Sequence, residues 1–164
     1  MDARPSFIAT SATLLGIVVT VLLALAPPDW WLGQLDPLWR AAYVLRHAES
    51  FDLPCTAPPS LVPPSVDAWR LVRASARADS IFKELVYSDD VRFPALLYGL
   101  AGVYATDPAF FRRNISRIGA TSESVRVALE CTNRRQPLWS SVAELQSGRW
   151  TRQLEATPGV VTSH

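Results

Sequence analysis

Four residues in this chain have side chains suited to covalent or metal chemistry: two cysteines, Cys55 and Cys131, and two histidines, His47 and His164. A thiolate needs a base within reach to act as a nucleophile, so Cys131 with His47 is the one enzyme-like pair these types allow. No family-specific local sequence surrounds either residue to support it. Outside the cytoplasm a disulfide between Cys55 and Cys131 is the competing expectation. It would close a long loop and stabilise the fold by about 4.5 kcal/mol in the chain-entropy model. The plainer reading makes Cys131 a small buried side chain near a helix end and Cys55 a free thiol among prolines. His164 is the last residue, in a polar tail, which removes any histidine-rich metal site. Asp89-Asp90 reads as a solvated turn between helices rather than a catalytic carboxylate pair.

The chain also lacks the spacings that other chemistries require. There is no GxSxG, HExxH, P-loop, GxGxxG or CxxC. The sequence is therefore expected to be non-catalytic, with no cofactor and no metal.

A third group of residues is electrostatic. Residues 27–90 carry five Arg and one Lys against nine acids, a net of −3, whereas residues 91–135 carry seven Arg against three acids, a net of +4. Six of those arginines, Arg112, Arg113, Arg117, Arg126, Arg134 and Arg135, form an expected interaction patch. It suits anionic lipid headgroups, an acidic partner or the acidic half of the same domain, with solvated helix faces as the plain alternative. Nucleic acid is not expected, because the formal net charge of the whole chain is only +1. Asn114-Ile115-Ser116 matches a glycosylation sequon mid-helix and is read as coincidence.

The elements that must position these residues begin with an apolar run. Residues 7–26 read FIATSATLLGIVVTVLLALA, twenty residues without a charge. As a helix rising 1.5 Å per residue they would span about 30 Å, the hydrocarbon thickness of a bilayer. A secretory signal peptide is the competing reading, and Ala24-Leu25-Ala26 has the small-x-small form of its cleavage site. Pro27 and Pro28 follow at once, and a ring without an N–H fits poorly just after a scissile bond. The expectation is an uncleaved anchor, with Trp30 and Trp31 at the membrane interface. Positive charge is slightly richer on the N-terminal flank, at Arg4 and the α-amine, which favours a cytoplasmic N-terminus and a periplasmic body. Ala12, Gly16, Thr20 and Ala24 recur every fourth residue, a face on which a second membrane helix could pack to form a homodimer.

Beyond the anchor, helical signals recur. Asp36-Pro37 is a helix start, opening LWRAAYVLRHAES, which either packs on the domain or lies at the membrane surface. Five prolines between Pro54 and Pro64 mark a linker. VDAWRLVRASARADSIFKELVYSDD then reads as two amphipathic helices broken near Ala78 and Asp79. FPALLYGLAGVYATDP reads as the central buried helix, because each internal glycine costs about 1 kcal/mol unless close packing compensates. Asp107-Pro108 opens another helix, closed by Gly119. ESVRVALECTN is read as a helix with Val125, Ala128 and Leu129 inward, and Pro137 opens a last helix before a polar tail.

The expected fold class is all-α, a transmembrane helix followed by a small irregular helical domain. That domain is either an orthogonal bundle or two to three imperfect solenoid-like helix pairs. The expected boundaries are an N-terminal tail at 1–6, the anchor at 7–26, a juxtamembrane helix region at 27–53, a proline-rich linker at 54–65, the helical domain at 66–148 and a flexible tail at 149–164. Fifteen arginines against one lysine suggest a GC-rich bacterial genome. Together these features predict a single-pass protein of the bacterial inner membrane whose periplasmic domain binds another envelope protein. A cytoplasm-facing domain held against anionic lipid, an exported soluble protein and a thiol enzyme are the alternatives.

Overall fold

A computed structural model describes residues 36–54, 62–118, 122–129 and 132–156, the side chain of Arg117 excepted. The expected anchor at 7–26, with Trp30, Trp31 and the Ala12, Gly16, Thr20, Ala24 face, lies outside the described residues, as do Cys55, Cys131 and Gly119. Among the described residues no helix is long and apolar enough to cross a membrane. The chain divides after Asp36, and its second unit starts at Pro37.

In chain order this unit contains α1 (Pro37–Arg46), β1 (Phe51–Asp52), α2 (Pro64–Arg73), α3 (Ala78–Tyr87), α4 (Phe93–Thr106), α5 (Pro108–Ile118), β2 (Ser124–Leu129), β3 (Thr132–Pro137), α6 (Leu138–Gln146) and α7 (Arg149–Glu155). The helix starts follow their local chemistry. Pro37, Pro64 and Pro108 each open a helix, where a missing N–H costs nothing. Asp107 caps α5 by accepting the Phe110 N–H on Oδ1 at 2.9 Å.

The central helix is α4, which touches α1, α2, α3, α5, α6, α7, β1 and β2. Leu97, Tyr98, Leu100, Ala101 and Val103 are fully buried, so this helix is apolar all round. Its glycines are close-approach positions. A Cβ on Gly99 would lie 2.9 Å from the Cβ of Leu85, and one on Gly102 would lie 2.1 Å from the ring of Phe82. The α3–α4 contact is thus tight because two side chains are missing from α4.

An aromatic group sits around α4. Phe51 lies 4.6 Å from Tyr98 and 5.2 Å from Trp150, centroid to centroid. Trp69 lies 5.8 Å from Phe82, and its Nε1–H donates to the Tyr98 carbonyl at 3.2 Å. Burying the indole is tolerable because that donor is satisfied.

The all-α expectation fails at one place. The chain is mostly helical, but within the expected helix ESVRVALECTN residues Ser124–Leu129 form β2, the middle strand of a sheet ordered β1-β2-β3, and Thr132 and Asn133 begin β3. β1 runs parallel to β2, with Phe51 opposite Val127 and Asp52 opposite Ala128. β3 returns antiparallel, pairing from Ser124↔Pro137 to Leu129↔Thr132. The physical reason lies in alternation: Val125 and Val127 are buried while Ser124 and Arg126 are exposed, a period of two. The β-branched valines also suit a pleated, half-buried surface.

Two boundaries also change. α1 buries Ala41 and Leu45 and packs on α2, so the helical body begins well before residue 66. The tail expected from residue 149 begins instead as α7, which buries Trp150, Thr151 and Leu154. Gly148, at φ 70, makes the left-handed turn that lets α7 follow α6 directly.

Candidate functional site

The first surface is an apolar groove between α1 and α3. It holds about 360 Å³ and is lined by Leu38, Trp39, Ala42 and Tyr43 on one wall and by Ile81 and Leu85 on the other. Trp39 is 58% exposed although its neighbours Ala41 and Leu45 are buried. The same helix therefore has one face in the core and a large aromatic left in solvent. His47 stacks on Tyr43 at 4.0 Å, and its Nδ1 lies 2.9 Å from the Tyr43 carbonyl. That geometry fits an Nδ1–H donor and leaves Nε2 at the surface.

One end of the groove is held by Arg46, the last residue of α1. Its Nη1 donates to Glu84 Oε1 at 2.9 Å, and its Nη2 to Ser88 Oγ at 3.0 Å and to Asp90 Oδ1 and Oδ2 at 3.0 and 3.1 Å. Ser88 Oγ also donates to Asp90. These contacts hold the Asp90 carboxyl below its ordinary value, the Ser88 hydroxyl contributing most and Arg46 next. Asp90 is therefore a bound counter-ion, and Asp89 and Asp90 lie in the turn between α3 and α4. A second knot joins α3 to α5. Lys83 Nζ lies 2.8 Å from both Asp79 and Asp107. The Lys83 hydrogen bond, followed by the Phe110 N–H, lowers the Asp107 acid.

The thiol-enzyme pair gains nothing from this arrangement. Cys131 lies outside the described residues, and the residues flanking its segment, Leu129 and Thr132, line a cavity with Leu53, Pro54, Arg149 and Trp150. His47 takes no part in that cavity; it lines the α1–α3 groove and a small depression with Glu49, Asp90 and Arg92.

The arginine patch is divided by strand geometry that a helical reading of this segment hides. Arg126 and Arg135 are paired residues across β2 and β3, both exposed, on the face opposite the buried Val125 and Val127. Arg134 is opposite Val127 and so belongs to the other face. It lines the cavity with Leu53 and Trp150. Arg112 and Arg113 are exposed on α5; nothing is described of the Arg117 side chain. Arg126 and Arg135 instead share a cleft of about 470 Å³ with Arg92, a residue outside the expected patch, together with Glu49, Ser124 and Phe93. The period-two alternation of Ser124 to Ala128 is the signal that would have revealed this pairing.

Within the core, the Asp52 N–H donates to Tyr98 Oη at 2.7 Å, and the Asp52 carboxylate accepts from Ser50 and Ser65 hydroxyls at 2.6 Å each. Burial first, and the Asp52 charge second, push the Tyr98 hydroxyl well above its ordinary value. It is a neutral strut between α4 and β1, not a proton donor poised for chemistry. Among the described residues no group of three or more His, Cys, Asp or Glu is placed to hold a metal ion. No family model matches this chain, and no curated protein or solved structure shows significant similarity to it.

Proposed function

We propose that this chain is a single-pass membrane-anchored interaction module of the cell envelope, which presents its mostly helical body to another envelope protein on the periplasmic side and catalyses no reaction itself. The observation that carries this reading is the uncharged run at 7–26, closed by Pro27-Pro28 and followed by Trp30 and Trp31. The apolar groove at Trp39 supports it, because a partly exposed aromatic beside a formed depression is the kind of anchor that dominates protein interfaces.

A photo-crosslinking residue at position 39 of the full chain, expressed in its native membrane, tests the reading. A discrete adduct to one envelope protein, absent when the crosslinker stands at exposed position 112, is the expected result. Identical, diffuse adducts from both positions would remove the groove from the account.

A second reading is favoured by the pairing of Arg126 with Arg135. Here the body faces the cytoplasm and those arginines meet anionic lipid. A topology reporter fused after His164 separates the two placements.

A further inference from the structure

We infer that the cleft between the β2–β3 hairpin and the start of α4 binds a phosphate-type anion through Arg126, Arg135 and Arg92, whether that anion is free phosphate or the headgroup of a lipid.

Like charges directly opposite each other on neighbouring strands are destabilising, and Arg126↔Arg135 is such a pair. Paired residues hold their Cβ atoms about 5 Å apart, so two guanidinium groups leave the same strip of sheet side by side. Among the described residues no carboxylate lies within ion-pair distance of either one. Other arginines of this body do find partners. Arg46 takes Glu84 and Asp90, and Arg149 takes Glu144 at 2.6 Å. The hairpin pair thus keeps its charge uncompensated by the described chain, and a bound anion would relieve the repulsion.

The cleft supplies the rest of the recognition. Arg92 stands across from the pair, tied only loosely to Glu49 at 3.8 Å with both side chains mostly in solvent. Ser124 lines the cleft as well, and Val91, Phe93 and Pro94 supply apolar lining. α4 begins there, with no side chain capping its first turn, so the positive end of its dipole adds to the same potential. Three cations against Glu49 leave a positive surplus that a phosphate monoester, diester or free phosphate offsets. A guanidinium fork grips carboxylate and phosphate alike, but three arginines on one cleft offer more donors than the two oxygens of a single carboxylate accept, which favours a tetrahedral anion. The inference does not depend on which side of the membrane the body occupies.

The test uses the full chain in uncharged maltoside micelles at constant ionic strength, titrated calorimetrically with inorganic phosphate and, separately, with glycerophosphoglycerol, the diester headgroup of an anionic lipid. Saturable binding of either ligand above a chloride control is expected. Phosphate alone identifies a free anion as the source, and the diester alone identifies a headgroup. Arg126→Gln and Arg135→Gln should each weaken binding about tenfold, as loss of a charged hydrogen-bond donor does. Arg135→Lys, which keeps charge without the fork, should weaken it less, and Arg112→Gln on α5 should leave it unchanged. Unaltered circular dichroism shows that each variant is folded; if either glutamine variant unfolds, Arg135→Lys carries the comparison. Binding of neither ligand, or equal loss with Arg112→Gln, would overturn the inference.

Discussion

Gly102 of α4 faces the ring of Phe82 of α3 so closely that a Cβ there would stand 2.1 Å from Cγ. Phe82 is fully buried and cannot swing into solvent. Gly102→Ala is therefore an overpacking change expected to cost about 1–3 kcal/mol, despite alanine's better helix propensity. Chemical unfolding of the full chain in micelles reads it. Gly102→Ala combined with Phe82→Leu should cost less than the sum of the two single changes, because the smaller side chain makes room. Additive losses would show that the two residues do not press on each other.

That close approach was legible in the sequence. Two glycines inside an apolar helix demand packing to offset their cost, and α4 is the element that most others touch. The Asp107-Pro108 start was legible too, since the cap is a local hydrogen bond. β2 was not. Val125, Ala128 and Leu129 also satisfy helical spacing, and only the inclusion of Val127 resolves the period as two. Partners distant in sequence, Phe51 and Asp52, complete the sheet, and two residues are too few for any local pattern to announce them. α7 was missed because seven residues are too few for periodicity to declare itself; it is held by burial of Trp150 rather than by propensity. For the site, the arginines were visible as a cluster, but which of them share a face is a property of the pleat.

Trp150 and Trp39 should respond oppositely. Trp150 is 1% exposed and packs on Phe51, so Trp150→Ala is expected to cost about 3–5 kcal/mol. Trp39→Ala should change stability by less than about 0.5 kcal/mol while abolishing the partner adduct of a photo-crosslinking residue placed at position 77, an exposed position on the same groove. Equal stability losses at the two positions would mean that Trp39 belongs to the core.

Acid should lower the stability of the body in part through two carboxylates. Asp90 and Asp107 are both held below their ordinary value of 3.8. A depressed folded value means that the contribution is complete above 3.8 and is lost as pH falls through the folded values. Stability measured by chemical unfolding should therefore be nearly level from pH 7 to pH 5 and decline below about pH 4. The Asp90→Asn, Asp107→Asn double variant should show a shallower acid limb than the parent. An unchanged acid limb would place the acid sensitivity elsewhere.

The described residues next to the two cysteine segments meet. The Leu53 N–H donates to the Ala128 carbonyl at 3.0 Å, and Leu53, Pro54, Leu129 and Thr132 line one cavity. Cys55 follows Pro54 in the chain and Cys131 precedes Thr132. We propose that the two thiols pair within one chain when a disulfide donor accepts their two electrons and two protons. Protein isolated without reductant from a periplasm-facing body should lack free thiols, migrate as a monomer and lose stability on reduction, by about 4.5 kcal/mol in the chain-entropy model. Two alkylatable thiols, or disulfide-linked dimers, would contradict the pairing.

The intact mass of the native chain, taken from membranes washed at alkaline pH, tests the central claim most directly. An anchored protein gives a species in the pellet whose mass retains residues 7–26. A shorter chain starting at or after Pro27 and released into the soluble fraction would contradict the anchor and, with it, the proposed place of action.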